Sequence, residues 1–186
     1  MSDTQKKIGF IIGSLRKGSY NRMVAKALIE RAPKLLQCEI IEIGDLPLYN
    51  EDLETDTPPD AWVNFRKAVA AMDGIVFVTP EYNRGVTAAI KNAIDVGSRP
   101  YGKASWNGKP AAVISASMSA IGGFGANHQL RQALVFLDMP LMQQPEAYIG
   151  KAQDLFDEDG QLTNADTGEF FDKFMDTYAK WIAKTA

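Results

Sequence analysis

The sequence predicts a three-layer α/β domain, spanning residues 1–186, in which helices cover both faces of a parallel β-sheet. Two observations support this fold. Short apolar runs alternate along the chain with segments in which apolar residues recur every three or four positions. The runs are continuous rather than alternating with polar residues, which is typical of strands buried on both faces. A chain of 186 residues is long enough for one core and short for two.

Five apolar runs are predicted as strands. They lie at residues 8–12, 39–43, 74–78, 111–115 and within 141–148. The third run is the richest in β-branched residues, which favour strands. Five segments with helical spacing separate and follow these runs, at residues 19–35, 60–72, 86–94, 130–137 and 170–182. Strands that alternate with helices are typical of a parallel sheet.

Two long polar connections, residues 44–59 and 154–168, are predicted as functional or mobile loops. The second belongs to an acidic stretch from Asp154 to Asp172, for which we expect a solvated loop and an acid-rich helix start. The aromatic residues at 170–182 are expected in the core or in a subunit interface.

Composition and charge exclude several functional classes. One cysteine and one histidine exclude a disulfide scaffold, an all-thiolate metal site and a His-rich site, and no metal is predicted. We expect Cys38 to be a buried structural thiol and His128 to lie on a helix surface. No apolar run approaches the roughly 18 residues of a membrane span. The first residues lack a signal-peptide core, so a cytoplasmic location is expected.

The net charge of −3 divides unevenly, because residues 1–34 carry +6 and the remainder carries −9. The acidic balance argues against a nucleic-acid partner. The basic end raises the question of which anion it binds.

The loop after the first predicted strand carries the residues that suit a phosphate. Ligands of open α/β sheets bind beyond the carboxyl ends of the strands. Two glycines allow tight turns here, hydroxyl and amide groups donate hydrogen bonds, two cations add charge, and a helix begins at once. A soluble turn is the alternative interpretation. The candidate cofactor-binding residues of this loop are Ser14, Arg16, Lys17, Gly18, Ser19, Tyr20 and Asn21.

The spacing of residues in this loop indicates which kind of phosphate-bearing ligand it suits. Gly13 and Gly18 have the separation of a nucleotide P-loop, but Ser19 occupies the position of the essential lysine. The Gly-x-Gly-x-x-Gly pattern of dinucleotide sites is also absent. A terminal phosphate monoester, as in FMN, fits better.

Two further loops supply candidates for the rest of the cofactor. Pro80, Glu81, Tyr82 and Asn83 follow the third strand and offer a planar surface and hydrogen-bonding groups, although a plain turn before a helix is the alternative. Ser115 and Ser117 open a Ser- and Gly-rich segment after the fourth strand, where small residues let a flat ring approach. A flexible hinge without ligand contacts is the alternative there.

Taken together, these loops resemble the NADPH-dependent FMN reductase family, especially its chromate and quinone reductase branch. The matching motifs are Gly13-Ser14-Leu15-Arg16-Lys17-Gly18-Ser19-Tyr20-Asn21 and Thr79-Pro80-Glu81-Tyr82-Asn83. The resemblance implies a flavodoxin-like sheet of order 2-1-3-4-5, FMN at its carboxyl edge, and a homodimer or homotetramer.

The same resemblance implies roles for individual residues. Ser14, Arg16, Ser19 and Asn21 would hold the phosphate. The segment 80–83 would border the isoalloxazine ring, and Ser115 and Ser117 would close its other side.

The function expected from this resemblance is FMN-dependent oxidation of NADPH or NADH. Ping-pong turnover would pass two electrons to quinones or similar small-molecule acceptors, among them chromate, azo compounds or free flavin. No catalytic side chain is predicted, because the flavin performs the redox chemistry. A flavodoxin-like electron carrier without NAD(P)H oxidation is the main alternative, and a phosphate-binding regulatory module is a third.

Overall fold

Five parallel strands form one sheet in the order β2-β1-β3-β4-β5, which confirms the predicted topology. The computed structural model describes residues 5–185. The strands are β1 (Lys6–Ile12), β2 (Leu36–Ile40), β3 (Gly74–Thr79), β4 (Ala111–Ala116) and β5 (Ala147–Ile149).

Helices cover both faces of the sheet. They are α1 (Tyr20–Glu30), α2 (Asp60–Ala70), α3 (Ala88–Gly97), α4 (Phe124–Phe136) and α5 (Ala165–Thr185). One core cluster joins α1 and α5 to the sheet, and the other joins α2, α3 and α4 to its opposite face. In β1, Phe10 belongs to the first cluster and Ile11 to the second. This two-sided burial explains why the strands read as continuous apolar runs.

The strand order reverses between β1 and β3, and the register aligns their carboxyl ends. Ile12 pairs with Val78, and Thr79 pairs with Ser115. The loops that follow β1, β3 and β4 therefore emerge at one edge of the sheet. A crevice at such a switch point is where open α/β sheets bind ligands.

Several predicted boundaries are wrong, and each has a local cause. The β2 ladder covers Leu36–Ile40 rather than 39–43, because the strand starts directly after a turn in which the Pro33 carbonyl accepts the Leu36 N–H, and its pairing with β1 ends where Ile40 lies opposite Phe10. Helix α1 ends at Glu30 rather than at 35, since the backbone before Pro33 is biased away from the helical region.

The fifth strand is also shorter than the predicted segment 141–148. Only Ala147–Ile149 joins the sheet there, and Leu141 makes a single bridge to Ala111. Pro145 lies between them and has no N–H to donate to a ladder.

The acidic side chains between Asp154 and Asp172 are exposed, as expected, and the loop that carries the first of them also has local structure. A short antiparallel bridge joins Phe156 to Leu162, and α5 begins at Ala165. The carboxylate of Asp172 lies 2.9 Å from the guanidinium of Arg31 on the chain segment after α1. The aromatic residues of α5 lie mainly in the core, where Phe171, Phe174 and Tyr178 are fully buried. None of the helices described is long and apolar enough to cross a membrane.

Candidate functional site

The three loops at the switch point enclose an open cavity of about 240 Å³. It is lined by Ser14, Arg16, Ser19, Tyr20, Asn21, Pro80, Glu81, Tyr82, Ala116, Ser117 and Met118. Nine of the thirteen predicted site residues are in this lining. Lys17, Gly18, Asn83 and Ser115 are not, and Ala116 and Met118 line it without having been predicted.

The first loop presents hydrogen-bond donors and positive charge to one end of the cavity. Ser14 and Ser19 are buried there, whereas Arg16 and Lys17 are exposed. Ser19 is the N-cap of α1, and its Oγ accepts a hydrogen bond from the Arg22 N–H at 3.4 Å. The Ser19 hydroxyl proton therefore remains available to an anion.

No side chain of the first turn of α1 competes with an anion for the start of this helix. The first turn of α1 contains no acidic residue, so no side chain of that turn neutralises the positive end of the helix dipole. The guanidinium of Arg16 lies 5.4 Å from the centre of the Tyr20 ring. Helix dipole, hydroxyl groups and guanidinium together make an anion-binding end of the cavity.

Asn21 contributes an acceptor that has no partner within residues 5–185. Its Nδ2 donates to the Ala116 carbonyl at 3.2 Å, which fixes the orientation of the amide. Its Oδ1 is buried and receives no hydrogen bond. A buried unsatisfied acceptor costs about 1–3 kcal/mol. A ligand hydroxyl satisfies this oxygen, whereas an ionised phosphate offers only acceptors.

The second loop is a tight turn that is anchored on α4. Tyr82 and Gly85 exchange backbone hydrogen bonds of 3.1 and 3.0 Å. Asn83 and Arg84 between them have φ of 50° and 65°. This conformation costs a residue other than glycine about 1–2 kcal/mol, so the surroundings must impose it.

Glu81 supplies one of the anchors. Its Oε2 accepts the Ala126 N–H at 2.9 Å. The N-cap of α4 is Gly123 in the left-handed region, which provides no side-chain cap. The Glu81 carboxylate, only 10% exposed, therefore caps α4 from a different loop. The sequence analysis missed this role, although the lack of a capping residue before α4 was a signal for it.

Glycines in the third loop serve protein packing rather than an open hinge. A Cβ on Gly125 would lie 2.9 Å from Glu81 Oε2 and 3.0 Å from the Arg84 carbonyl oxygen. Gly122 has a φ of 65°, and a Cβ there would lie 2.5 Å from the Tyr148 carbonyl carbon. Both positions therefore require glycine for close backbone approach.

The two predicted serines lie in different surroundings. Ser115 is fully buried, and its Oγ accepts from Asn127 Nδ2 at 3.3 Å. Ser117 lines the cavity and lies within hydrogen-bonding distance of Ser119, 3.1 Å between the Oγ atoms. Direct ligand contact is thus available to Ser117. Ser115 instead helps to orient Asn127, a buried residue of α4.

Apolar side chains form the rim at the other end of the cavity. Tyr82 is 52% exposed and Met118 is 62% exposed, and both line the cavity. A planar ring and a thioether at an open rim suit a flat aromatic ligand.

Two residues that the sequence analysis set aside lie away from this cavity. Cys38 is half-buried in β2, and burial raises the pKa of its thiol to about 11. His128 is exposed on α4, where its Nε2 lies 2.8 Å from the Tyr148 hydroxyl. Within residues 5–185, no group of three side chains is arranged to bind a metal ion.

The chain is similar to known flavoenzymes over most of its length. Residues 6–154 match a family described as NADPH-dependent FMN reductase. A quinone reductase from Pseudomonas putida is 59% identical over 175 residues, which cover 94% of each chain.

Solved structures agree with this similarity. The flavoenzyme NAD(P)H:(acceptor) oxidoreductase FerB from Paracoccus denitrificans superposes with a TM-score of 0.91 at 39% identity, covering 97% of this chain and 98% of that one. A flavodoxin from Pseudomonas aeruginosa shares the fold at a TM-score of 0.58 and 15% identity, covering 95% and 99%.

Proposed function

The chain belongs to the NADPH-dependent FMN reductase family, and from this premise we propose that residues 1–186 act as one FMN-binding domain that transfers electrons from NAD(P)H to quinones. The family membership confirms the resemblance seen in the sequence. It also confirms the expected class of activity, an NAD(P)H-dependent flavin oxidoreductase with FMN as cofactor. The acceptor, the kinetic sequence and the residue roles are our proposals.

The unpartnered Asn21 Oδ1 is the observation that supports FMN most directly. FMN combines a terminal phosphate with a chain of hydroxyl groups. The anion-binding end at Ser14, Arg16 and Ser19 suits the phosphate. We assign Asn21 to a ribityl hydroxyl rather than to the phosphate, because its free atom is an acceptor.

The other predicted residues have proposed roles around these two contacts. Lys17 adds exposed positive charge next to the phosphate, and Gly18 and Tyr20 shape the loop that holds it. Pro80 and Tyr82 border the ring together with Ser117 and Met118. Glu81 and Ser115 support the two ring-side loops, because their side chains bond residues of α4. Asn83 is outside the cavity lining and is assigned to the shape of its turn.

When bound, FMN would supply the redox chemistry, namely hydride acceptance from NAD(P)H and two-electron reduction of the acceptor. The chain contributes binding and orientation, and no side chain is required as acid, base or nucleophile. The apolar rim at Tyr82 and Met118 favours a flat, weakly polar acceptor such as a quinone.

An Asn21→Leu variant tests the FMN assignment. It removes the unpartnered acceptor, so FMN affinity is expected to fall about tenfold or more. The exposed Asn64 on α2 provides a control in Asn64→Leu, which is expected to leave affinity unchanged. Titration of apoprotein with FMN, followed by flavin fluorescence, measures both variants. Equal affinities for Asn21→Leu and the wild type would contradict the assignment.

Acceptor-dependent NAD(P)H oxidation tests the activity. The rate of NAD(P)H oxidation by FMN-loaded protein is measured with quinones, chromate, an azo dye and free FMN as acceptors. Quinones are expected to be reduced most efficiently. Parallel lines in double-reciprocal plots are expected for ping-pong turnover. A flavodoxin-like carrier would oxidise almost no NAD(P)H without a partner reductase, and that result would overturn the proposal.

We further propose a cytoplasmic homodimer or homotetramer. Val135 and Phe136 are exposed on α4, and Phe136 lies beside a cavity of about 550 Å³ between α3 and α4. Exposed apolar side chains of this size favour a subunit contact. Sedimentation velocity at micromolar concentration measures the oligomeric state, and a monomer would contradict this part of the proposal.

A further inference from the structure

The turn at residues 82–85 holds a cation in an unfavourable backbone conformation at the rim of the cofactor cavity. Positive φ at both Asn83 and Arg84 is the pattern of a type I′ hairpin turn. The favoured pair in such turns is asparagine followed by glycine. This chain has Arg84 where glycine is preferred, although Gly85 follows at once.

Hydrogen bonds between the turn segment and α4 hold this turn without help from the Arg84 side chain. The Val86 N–H donates to Gln129 Oε1 at 2.7 Å, and Glu81 accepts the Ala126 N–H, so both ends of the turn are attached to α4. The Arg84 side chain is 76% exposed. Its polar contact in the part of the chain described is with Glu81 Oε1, at 3.3 Å, which is long for a charge-assisted hydrogen bond. Packing therefore does not explain why arginine occupies this position.

Strain retained at an exposed residue beside a site points to a function for its side chain. Tyr82 lines the cavity and pairs with Gly85 across the turn, so Arg84 lies two residues from the lining without belonging to it. A nicotinamide dinucleotide is too long for a cavity of about 240 Å³, so its phosphates would lie outside the lining when its nicotinamide is inside. A guanidinium binds phosphate through two parallel hydrogen bonds.

We infer that Arg84 forms an anion subsite for a phosphate group of the reduced nicotinamide dinucleotide. The inference rests on the proposed function, because it assumes that the dinucleotide reacts at this cavity. Such a subsite would distinguish the two substrates by their charge. The dinucleotide carries phosphates that Arg84 binds, whereas a neutral quinone has no anionic group and makes no such contact.

Three variants of the FMN-loaded protein test the subsite. Arg84→Gln removes the charge and is expected to raise KM for the dinucleotide about tenfold or more. At saturating dinucleotide, kcat and the KM for a neutral quinone are expected to stay within about twofold of wild type. Arg84→Lys keeps the charge without the fork and is expected to fall between the two. Titration with oxidised NADP⁺ gives a binding measurement that is independent of turnover.

Arg84→Gly separates the ligand role from a structural one. Glycine relieves the positive φ, so this variant is expected to melt about 2–4 °C above wild type while binding the dinucleotide as weakly as Arg84→Gln. Asp138→Gly is the matched control, because Asp138 also has a positive φ, of 54°, and follows the end of α4 opposite the cavity. It is expected to gain stability without any change in dinucleotide binding.

A comparison of the affinity losses for NADPH and NADH shows which phosphate group Arg84 binds. A larger loss for NADPH assigns Arg84 to the 2′-phosphate, and equal losses assign it to the diphosphate. Unchanged dinucleotide binding in Arg84→Gln, or a raised KM for the quinone instead, would overturn the inference while leaving the proposed function intact. Wild-type protein that binds FMN but oxidises neither dinucleotide would overturn both.

Discussion

The two ends of the cofactor cavity are built in different ways. The anion-binding end depends on neighbours in sequence, because residues 13–21 form the turn, supply its N-cap Ser19 and begin α1. The ring end depends on contacts between distant segments. Glu81 meets Ala126, and Val86 meets Gln129, across about 45 residues of chain.

This difference separates residues that supply binding groups from residues that hold the cavity in shape. At the anion-binding end, the side chains that supply hydroxyl groups and charge also line the cavity. At the ring end, the polar side chain of Glu81 bonds the loop after β3 to α4, and that of Asn127 bonds α4 to β5. The cavity lining there is largely planar or apolar. Substitutions at the first end are therefore expected to alter affinity, and those at the second to alter stability and shape.

Gly122→Val is expected to have the largest effect, because it breaks the ring end at the backbone. Its Cβ would meet the Tyr148 carbonyl carbon at 2.5 Å, and its φ of 65° is unfavourable for a branched residue. Overpacking of this kind costs about 3 kcal/mol. Urea unfolding of the apoprotein measures the loss. Gly108→Val is the control, since Gly108 also has a positive φ, of 72°, but no atom within 4 Å of its Cβ position. An equal loss in both variants would show that strain alone, not packing against β5, is responsible.

Arg16→Ala tests the anion-binding end. Loss of a charge-assisted contact is expected to weaken FMN binding by roughly thirtyfold at low salt, with a smaller effect at high salt. Lys17→Ala is the matched variant, because Lys17 is a neighbouring exposed cation outside the cavity lining. Its effect is expected to be several-fold smaller. Stability of the apoprotein should change little in either case, and equal loss of FMN affinity in both would contradict a specific role for Arg16.

The same difference explains what the sequence predicted and what it did not. The turn after β1 was predictable because its glycines, hydroxyl groups and cations are contiguous. The continuous apolar runs predicted β1, β3 and β4 nearly to their ends, since both faces of these strands are covered. The end of the β2 ladder at Ile40 depends on its register against β1, and no local pattern encodes that register.

Long-range contacts account for the remaining differences at the site. Ser115 and Ser117 are alike in sequence, yet one is buried against Asn127 and the other lines the cavity. Strand pairing, not residue type, separates them, because Ser115 pairs with Thr79 inside the sheet and Ser117 lies beyond β4. The capping of α4 by Glu81 likewise depends on a loop from elsewhere in the chain.

Glu81→Gln is expected to have a moderate effect on the ring end. Glutamine still accepts the Ala126 N–H but loses the negative charge at the start of α4, which costs about 0.5–1 kcal/mol. Asp60→Asn is the matched control, because Asp60 is an acidic residue in the first turn of α2 and is exposed. Urea unfolding should show a larger loss for Glu81→Gln than for Asp60→Asn. The reverse order would indicate that Glu81 does not cap α4.

The labelling rate of the Cys38 thiol is expected to change least among the loop variants. It therefore serves as a probe of whether those variants remain folded. Burial raises the pKa of its thiol to about 11, so at pH 8 only about one folded molecule in a thousand carries the reactive thiolate. Because the folded state holds this proton more tightly than the unfolded state, the resulting stabilisation is complete below about pH 9 and is lost as the pH rises toward 11. Labelling with iodoacetamide at pH 8 should be slow in wild type, Arg16→Ala and Glu81→Gln alike, and fast in urea. Cys38 reports on the edge strand β2, which loses its cover when the sheet opens. Rapid labelling of Arg16→Ala without urea would therefore mean that its loss of FMN affinity reflects a disrupted sheet rather than a missing phosphate contact.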